Sequence, residues 1–179
     1  TSGFSFSALS VSDNVFLSGD VAPWFSYLVV KPFGTGNFLN GLSVCGNKFR
    51  SVLGKIERAE RVDTSFSDLD LTRSKSVFYE GNTYHNVEAQ AADPLRIRHE
   101  QNSPAGTWQI SPDGNFPFSG FARGVDCAIA IGPLTNNGGA VHRALPYAEL
   151  QQGSNNDEVH LHWDEPVEGE MQVTMRMDK

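Results

Sequence analysis

Phe6-Ser-Ala-Leu9-Ser-Val11-Ser-Asp-Asn14-Val-Phe16 lies over Leu39-Asn-Gly-Leu42-Ser-Val44-Cys-Gly-Asn47-Lys-Phe49 with apolar positions, Ser10/Ser43 and Asn14/Asn47 all in step, 33 residues apart. Val77-Phe-Tyr79-Glu-Gly81-Asn82-Thr-Tyr84 repeats the phrase 35 residues further on. Each copy spells apolar-x-apolar-x-(Gly/Asp)-Asn-x-aromatic. That is a short strand with alternate residues inward, a sharp turn, and a new inward aromatic ring. Asparagine tolerates the left-handed backbone of such a turn, and its amide can bond the same turn one layer above or below. Asn14, Asn47 and Asn82 are therefore expected to stack as a ladder, with Leu42 and Val44 inside and Ser43 outside.

Further short strands lie between the copies, Phe25–Val30 in the first interval and Val62–Leu71 in the second. Several strands within one period of this length describe a solenoid whose strands stack in parallel. The reading is the last coils of a right-handed parallel β-helix over residues 1–90. Gly54–Val62, with two Glu, two Arg and one Ala, reads either as two helical turns or as further strand. Gly34-Thr-Gly36 precedes no helix and reads as a turn, not a phosphate loop.

From Gln90 onward the phrase stops. Leu95–His99, Cys127–Ile131, Val159–Trp163 and Met171–Met177 alternate apolar and polar residues and are separated by Gly, Asn and Pro clusters, as antiparallel strands are. Residues 91–179 are thus expected to form a β-sandwich-like C-terminal domain. Its last element reads as a hairpin from Val159 to Met177 that turns at Glu165–Gly169. The fold class is all-β, with few of the Ala/Glu/Lys/Leu-rich stretches that long helices use.

The 179 residues carry 21 acidic and 14 basic side chains, a net charge of −7. Phosphate backbones are held by clustered Lys and Arg, so nucleic acid is an unsuitable partner. The longest apolar run, Tyr27–Val30, is far short of the ~20 residues that cross a bilayer, so no membrane insertion is expected. Thr1–Phe6 has neither a starting Met nor a signal-peptide pattern, and reads as a strand of a longer chain cut open. Cys45 and Cys127 sit in alternating apolar contexts and read as buried, reduced thiols.

Polysaccharide chemistry supplies the remaining candidates. In an alternating strand Asp68 and Asp70 would point outward together, and with Glu57 they would form the carboxylate set of a glycoside-cleaving site. Asp63 is nearby in sequence. The aromatic residues Trp24, Tyr27 and Trp108 are candidate platforms for sugar faces. His160 and His162 share one side of a strand but have no third ligand at a persuasive spacing, so neither a metal nor any other cofactor is expected.

The phrases Leu-Ser-Val-Cys-Gly-Asn-Lys-Phe and Val-Phe-Tyr-Glu-Gly-Asn-Thr-Tyr resemble the rungs of pectate-lyase-like β-helix proteins, over roughly residues 4–90. That superfamily includes polysaccharide-degrading enzymes and the trimeric tailspikes and receptor-binding spikes of phages and gene transfer agents. The resemblance implies a homotrimer on a virion or phage-like particle, with bacterial surface polysaccharide as the ligand. It also implies the alternatives of a polysaccharide lyase or glycoside hydrolase, or a secreted adhesin. A trimer seam is expected on the face carrying Met171, Val173, Met175 and Met177.

Overall fold

The computed structural model describes residues 3–178 and is all-β, with two three-residue 3-10 turns as its only helical elements among those residues. Short strands recur in three layers. The first layer holds β1 (Ser5–Ser7), β2 (Ser10–Ser12), β3 (Val15–Asp20) and β4 (Leu28–Val30). The second holds β5 (Phe38–Cys45), β6 (Lys48–Leu53), β7 (Ile56–Arg58) and β8 (Glu60–Val62), and the third β9 (Lys75–Glu80), β10 (Thr83–His85) and β11 (Val87–Ala89).

Every pairing between these layers is parallel. β1 and β2 lie on β5, which lies on β9; β3 lies on β6, which lies on β10; β4 lies on β8 and β7 on β11. The register matches the sequence repeat, with Val11 opposite Val44 and Phe16 opposite Phe49. Leu39, Leu42, Val44, Phe49, Ile56, Val77, Tyr79 and Val87 are buried, because alternate residues of each strand face inward. Phe16, Phe49 and Tyr84 stack ring on ring, with centroids 4.9 and 5.6 Å apart.

The turns between strands are held by the asparagines. Asn47 Oδ1 accepts from the Asn14 backbone N–H at 3.0 Å and from Asn14 Nδ2 at 3.2 Å. Asn82 Oδ1 accepts in the same way from Asn47, at 2.9 and 3.1 Å. Asn47 Nδ2 also donates to Val11 O at 2.8 Å, and Asn82 Nδ2 to Val44 O at 2.7 Å. Gly46 and Gly81, each just before a ladder asparagine, take φ of +68° and +64°. A side chain there would be strained in that conformation.

Within Gly54–Val62 the chain forms the two short strands β7 and β8, not helix. Its helix-forming residues are overridden because parallel neighbours offer β7 and β8 a ladder and the interior takes up Ile56 and Ala59. Inward positions in this segment also fall on Arg58 and Glu60, which sequence alternation alone did not single out. Val62–Leu71 is the opposite case. It holds strand structure only at its first residue and a single bridge at Leu69, so Asp68 and Asp70 do not share the outward face of a strand. Cys45 and Cys127 are free and half-exposed instead of buried: Cys45 Sγ sits 3.3 Å from Ser43 Oγ, on the outward side of β5.

Two compact units result. The first is Thr1–Pro94, Asp113–Gly120 and Met177–Lys179; the second is Leu95–Pro112 and Phe121–Arg176. Two short late segments thus join the first unit, where the 90/91 division had placed them in the second. Arg58 binds the Gly114 and Phe116 carbonyls, and the Asp178 carboxylate accepts from the Val77 N–H at 2.8 Å.

The second unit is one six-stranded sheet. Its centre is a single strand, β17 (Glu158–Arg176). Along one edge runs β12 (Leu95–Ile110). Along the other lie β13 (Gly124–Ala130), β14 (Leu134–Asn136) and β16 (Tyr147–Gln152), with β15 (Val141–His142) beyond β14. All pair antiparallel. The expected hairpin at 165–169 does not occur. Pro104 and Pro166, which have no N–H to donate, fall in the stretch where the β12–β17 register shifts, and a bulge absorbs the break without a turn.

Met171, Val173, Met175 and Met177 are each at most 1% exposed within the single chain. The apolar face assigned to a trimer seam is therefore already covered, and no subunit contact is needed to bury it.

Candidate functional site

The first unit exposes several rings, Phe4, Phe33, Phe66 and Trp24 among them, and of the sequence-predicted platforms Trp24 is the one left in solvent, at 62%. It sits in the turn Ala22-Pro23-Trp24-Phe25, closed by the Phe25 N–H donating to Ala22 O at 2.9 Å, with Pro23 setting the second position of the turn. The Arg61 guanidinium lies 5.6 Å from the Trp24 ring centroid, a cation–π distance. Arg61 belongs to β8, opposite Val29 on β4, so alternation turns it outward while Glu60 and Val62 turn in. The Glu57 N–H donates to Pro23 O at 2.8 Å, which places exposed Glu57 beside the same turn. An exposed ring thus meets a half-buried guanidinium whose Nε is buried without a partner, and the backbone of exposed Glu57 is tied to the same turn. Stacking on a ring with hydrogen bonds from charged groups at its margin is a chemistry that suits hydroxyl-bearing rings.

The other sequence candidates fall elsewhere. Tyr27 is corrected from a free platform to a half-buried member of a ring cluster: its ring packs on Phe16, Phe25 and Phe49, and its hydroxyl donates to Arg50 O at 2.7 Å. Trp108 is likewise corrected. It is fully buried, its Nε1–H donates to Val167 O at 3.1 Å, and it packs on His99 and Trp163. Alternation along β12 places it on the covered face.

Asp70 caps the 3-10 turn Leu71–Arg73, accepting from the Thr72 N–H at 3.1 Å and the Thr72 hydroxyl at 2.6 Å. Asp68 is exposed, and Glu57 belongs to the Trp24 face, so the proposed set of three carboxylates is divided. Asp63 pairs with Lys31 at 3.0 Å; that bond and those from Ser65 hold its pKa down at about 2. It stays ionised at neutral pH and has no proton to give.

A carboxylate missed in the sequence is Glu60, whose side chain is fully buried. Arg58 clasps its Oε1 through Nε at 3.0 Å and Nη2 at 2.6 Å, and the Phe118 N–H donates to the same oxygen at 3.2 Å. Arg58 donates further to Gly114 O at 2.7 Å and Phe116 O at 2.6 Å, fixing the 113–120 segment. Burial raises the Glu60 pKa despite the Arg58 charge. Burial, with Glu60 next, also pushes the Tyr79 hydroxyl up. Glu60 Oε2 and the Tyr79 hydroxyl have no hydrogen-bond partner. Glu60 is closed to solvent, Arg58 is only 19% exposed, and the pair acts as a structural clasp.

In the second unit His160 meets Glu158 at 3.1 Å, and His162 lies between Glu149 at 2.9 Å and Thr107 at 3.1 Å. These are cross-strand and along-strand pairs on an outer sheet face. Among the described residues no three His, Cys, Asp or Glu side chains gather as a metal site, and no helix is long and apolar enough to cross a membrane. No protein-family model, curated protein or solved structure matches the chain.

Proposed function

We propose that the first unit forms the last coils of a right-handed parallel β-helix of the phage tailspike type, and that its Trp24 face binds bacterial surface polysaccharide. The observation that carries this reading is the exposed Trp24 ring with the Arg61 cation and Glu57 beside it. The parallel pairing at 33- and 35-residue spacing and the asparagine ladder support the β-helix part. The location that goes with it is the surface of a virion or phage-like particle.

Trp24→Ala should weaken binding of the protein to isolated capsular or lipopolysaccharide chains by about tenfold, since a central aromatic anchor typically costs more than 1 kcal/mol when truncated. Titration calorimetry checks this, with unchanged circular dichroism as the folding control. Equal binding by the variant would remove the Trp24 face from the reading. The lyase or hydrolase alternative predicts release of reducing ends or unsaturated sugars that disappears in Asp68→Asn or Glu57→Gln. With Asp70 engaged as a cap, we expect no such release.

The tailspike reading carries a homotrimer, whose seam must use side chains other than the covered methionine face. Exposed Ile129 and Ile131 of the second unit are available. A light-scattering mass near 19.6 kDa, that of one chain, would exclude the trimer.

A further inference from the structure

Glycine follows asparagine twice in the chain, at Asn40-Gly41 within β5 and at Asn137-Gly138 in the turn between β14 and β15. An asparagine side chain can reach the backbone nitrogen that follows it, and a following glycine puts no Cβ in the way. Asparagine is accordingly among the thermolabile residues of proteins. Closing that ring needs a backbone free to turn, and the fold leaves only one of the two pairs free. Asn40 stands opposite Ser7 of β1 on one side and Lys75 of β9 on the other, and its carbonyl accepts from the Ala8 N–H at 3.2 Å. Asn137, Gly138 and Gly139 are exposed and belong to no strand.

One side chain organises the turn. Asn136 Oδ1 accepts from the Gly138 N–H and from the Ala140 N–H, each at 3.0 Å. The Asn136 backbone N–H donates to Ala140 O at 3.0 Å, and the Asn136 carbonyl accepts from the Gly139 N–H at 2.9 Å. Asn136 Nδ2 anchors the whole turn by donating to Glu165 Oε2 at 3.1 Å. The Gly138 nitrogen is the atom that can attack Asn137, and it attacks only after its proton leaves. A hydrogen bond to a neutral amide oxygen stabilises the N–H form and keeps that nitrogen turned toward Asn136.

We infer that Asn137 is a site of spontaneous deamidation and that the Asn136 side chain is the brake on it. The Gly138 nitrogen bonds to Asn137 Cγ, the Cγ–Nδ2 bond breaks, and ammonia leaves with the proton that Gly138 gives up. Water then opens the five-membered imide. Opening at the side-chain carbonyl gives aspartate; opening at the main-chain carbonyl gives isoaspartate, in which the backbone runs through Cβ and is longer by one methylene. Either product adds a negative charge to a chain of net charge −7. Isoaspartate also stretches the turn that holds β15, which pairs only with β14 through Leu134–His142 and Thr135–Val141.

The folded protein, held at 37 °C and mildly alkaline pH, should accumulate aspartate and isoaspartate at position 137 while Asn40 stays intact. Peptide mapping by mass spectrometry follows the conversion, and enzymatic methylation of isoaspartyl groups gives an independent readout. In urea the two asparagines should convert at similar rates, which assigns the difference to the fold. Asn136→Ala should speed conversion about fivefold, the rate equivalent of the ~1 kcal/mol that one hydrogen bond contributes. Asn136→Asp keeps an acceptor for the Gly138 N–H and should stay near the wild-type rate, whereas a turn that had merely loosened would convert as fast as in Asn136→Ala. An Asn137 that survives in the folded protein, or an Asn40 that converts alongside it there, overturns the site. Equal rates in wild type and Asn136→Ala, or in Asn136→Ala and Asn136→Asp, overturn the brake.

Discussion

Arg58→Met is expected to destabilise the first unit by about 3–5 kcal/mol at neutral pH, the range for removing one member of a buried ion pair. Four of its hydrogen bonds go to buried or half-buried oxygens: two to Glu60 Oε1 and one each to the Gly114 and Phe116 carbonyls. A methionine of similar length fills the volume and supplies none of them. The pH dependence fixes the cause. Glu60 is raised by burial even with Arg58 present, so the folded state holds its proton more tightly than the unfolded chain. The associated stability is fully present below the unfolded pKa of ~4.3 and falls as pH rises through the folded value. Removing Arg58 raises that folded value further and extends the fall to higher pH. Urea unfolding of wild type and variant at pH 5 and pH 7.5 should show the deficit growing with pH. The double variant Arg58→Met/Glu60→Gln should recover most of the loss at pH 7.5, since no buried charge remains. A deficit equal at both pH values would mean that the two carbonyl bonds, not the ion pair, hold the segment.

Asn47→Ala is expected to cost about 3 kcal/mol, from several buried groups each left unpaired at about 1–3 kcal/mol. Asn47 is fully buried. Its side chain accepts from the Asn14 backbone and amide, and donates to Val11 O, to Cys45 O and to the next asparagine. Asn14→Ala is the internal control. Asn14 is exposed, its amide donates only to Ser12 O and Asn47 Oδ1, and its backbone N–H keeps its bond to Asn47. A loss of about 1 kcal/mol or less is expected there. Chemical denaturation of the two variants side by side measures the difference. Equal losses would show that the ladder is a bystander to turns fixed by the backbone.

The repeat made the first unit readable. Asn14, Asn47 and Asn82 recur in step with inward apolar residues, and a residue that must bond its own equivalent in the next layer leaves that periodicity in the chain. Alternation also marked the covered face of β17, since Val159, Leu161, Trp163, Val167, Met171, Val173 and Met175 all share one parity and are all buried. That unbroken parity fits one strand better than a hairpin, but the Glu-Pro-Val-Glu-Gly stretch reads locally as a turn. Only pairing to β12 along its whole length decides that the chain runs straight through.

The candidate sites were less legible, because a side chain's exposure depends on what lies across from it. Trp24 and Trp108 are both aromatic residues close to turn-forming sequence. One stands in solvent because its turn projects from the layers, and the other is buried because alternation sets it against Trp163 and His99. Asp68 and Asp70 read as an outward pair only if their segment is a strand, and the 3-10 turn that Asp70 caps removes that geometry. Glu60 and Arg58 look like surface charges in a helix-forming run until parallel stacking makes both of them interior. The sequence by itself determined the repeat, the all-β character and the residues that line the layers, since these follow from local periodicity. Which charges are buried and which rings are free depended on contacts between segments far apart in the chain, and only the tertiary structure decides those.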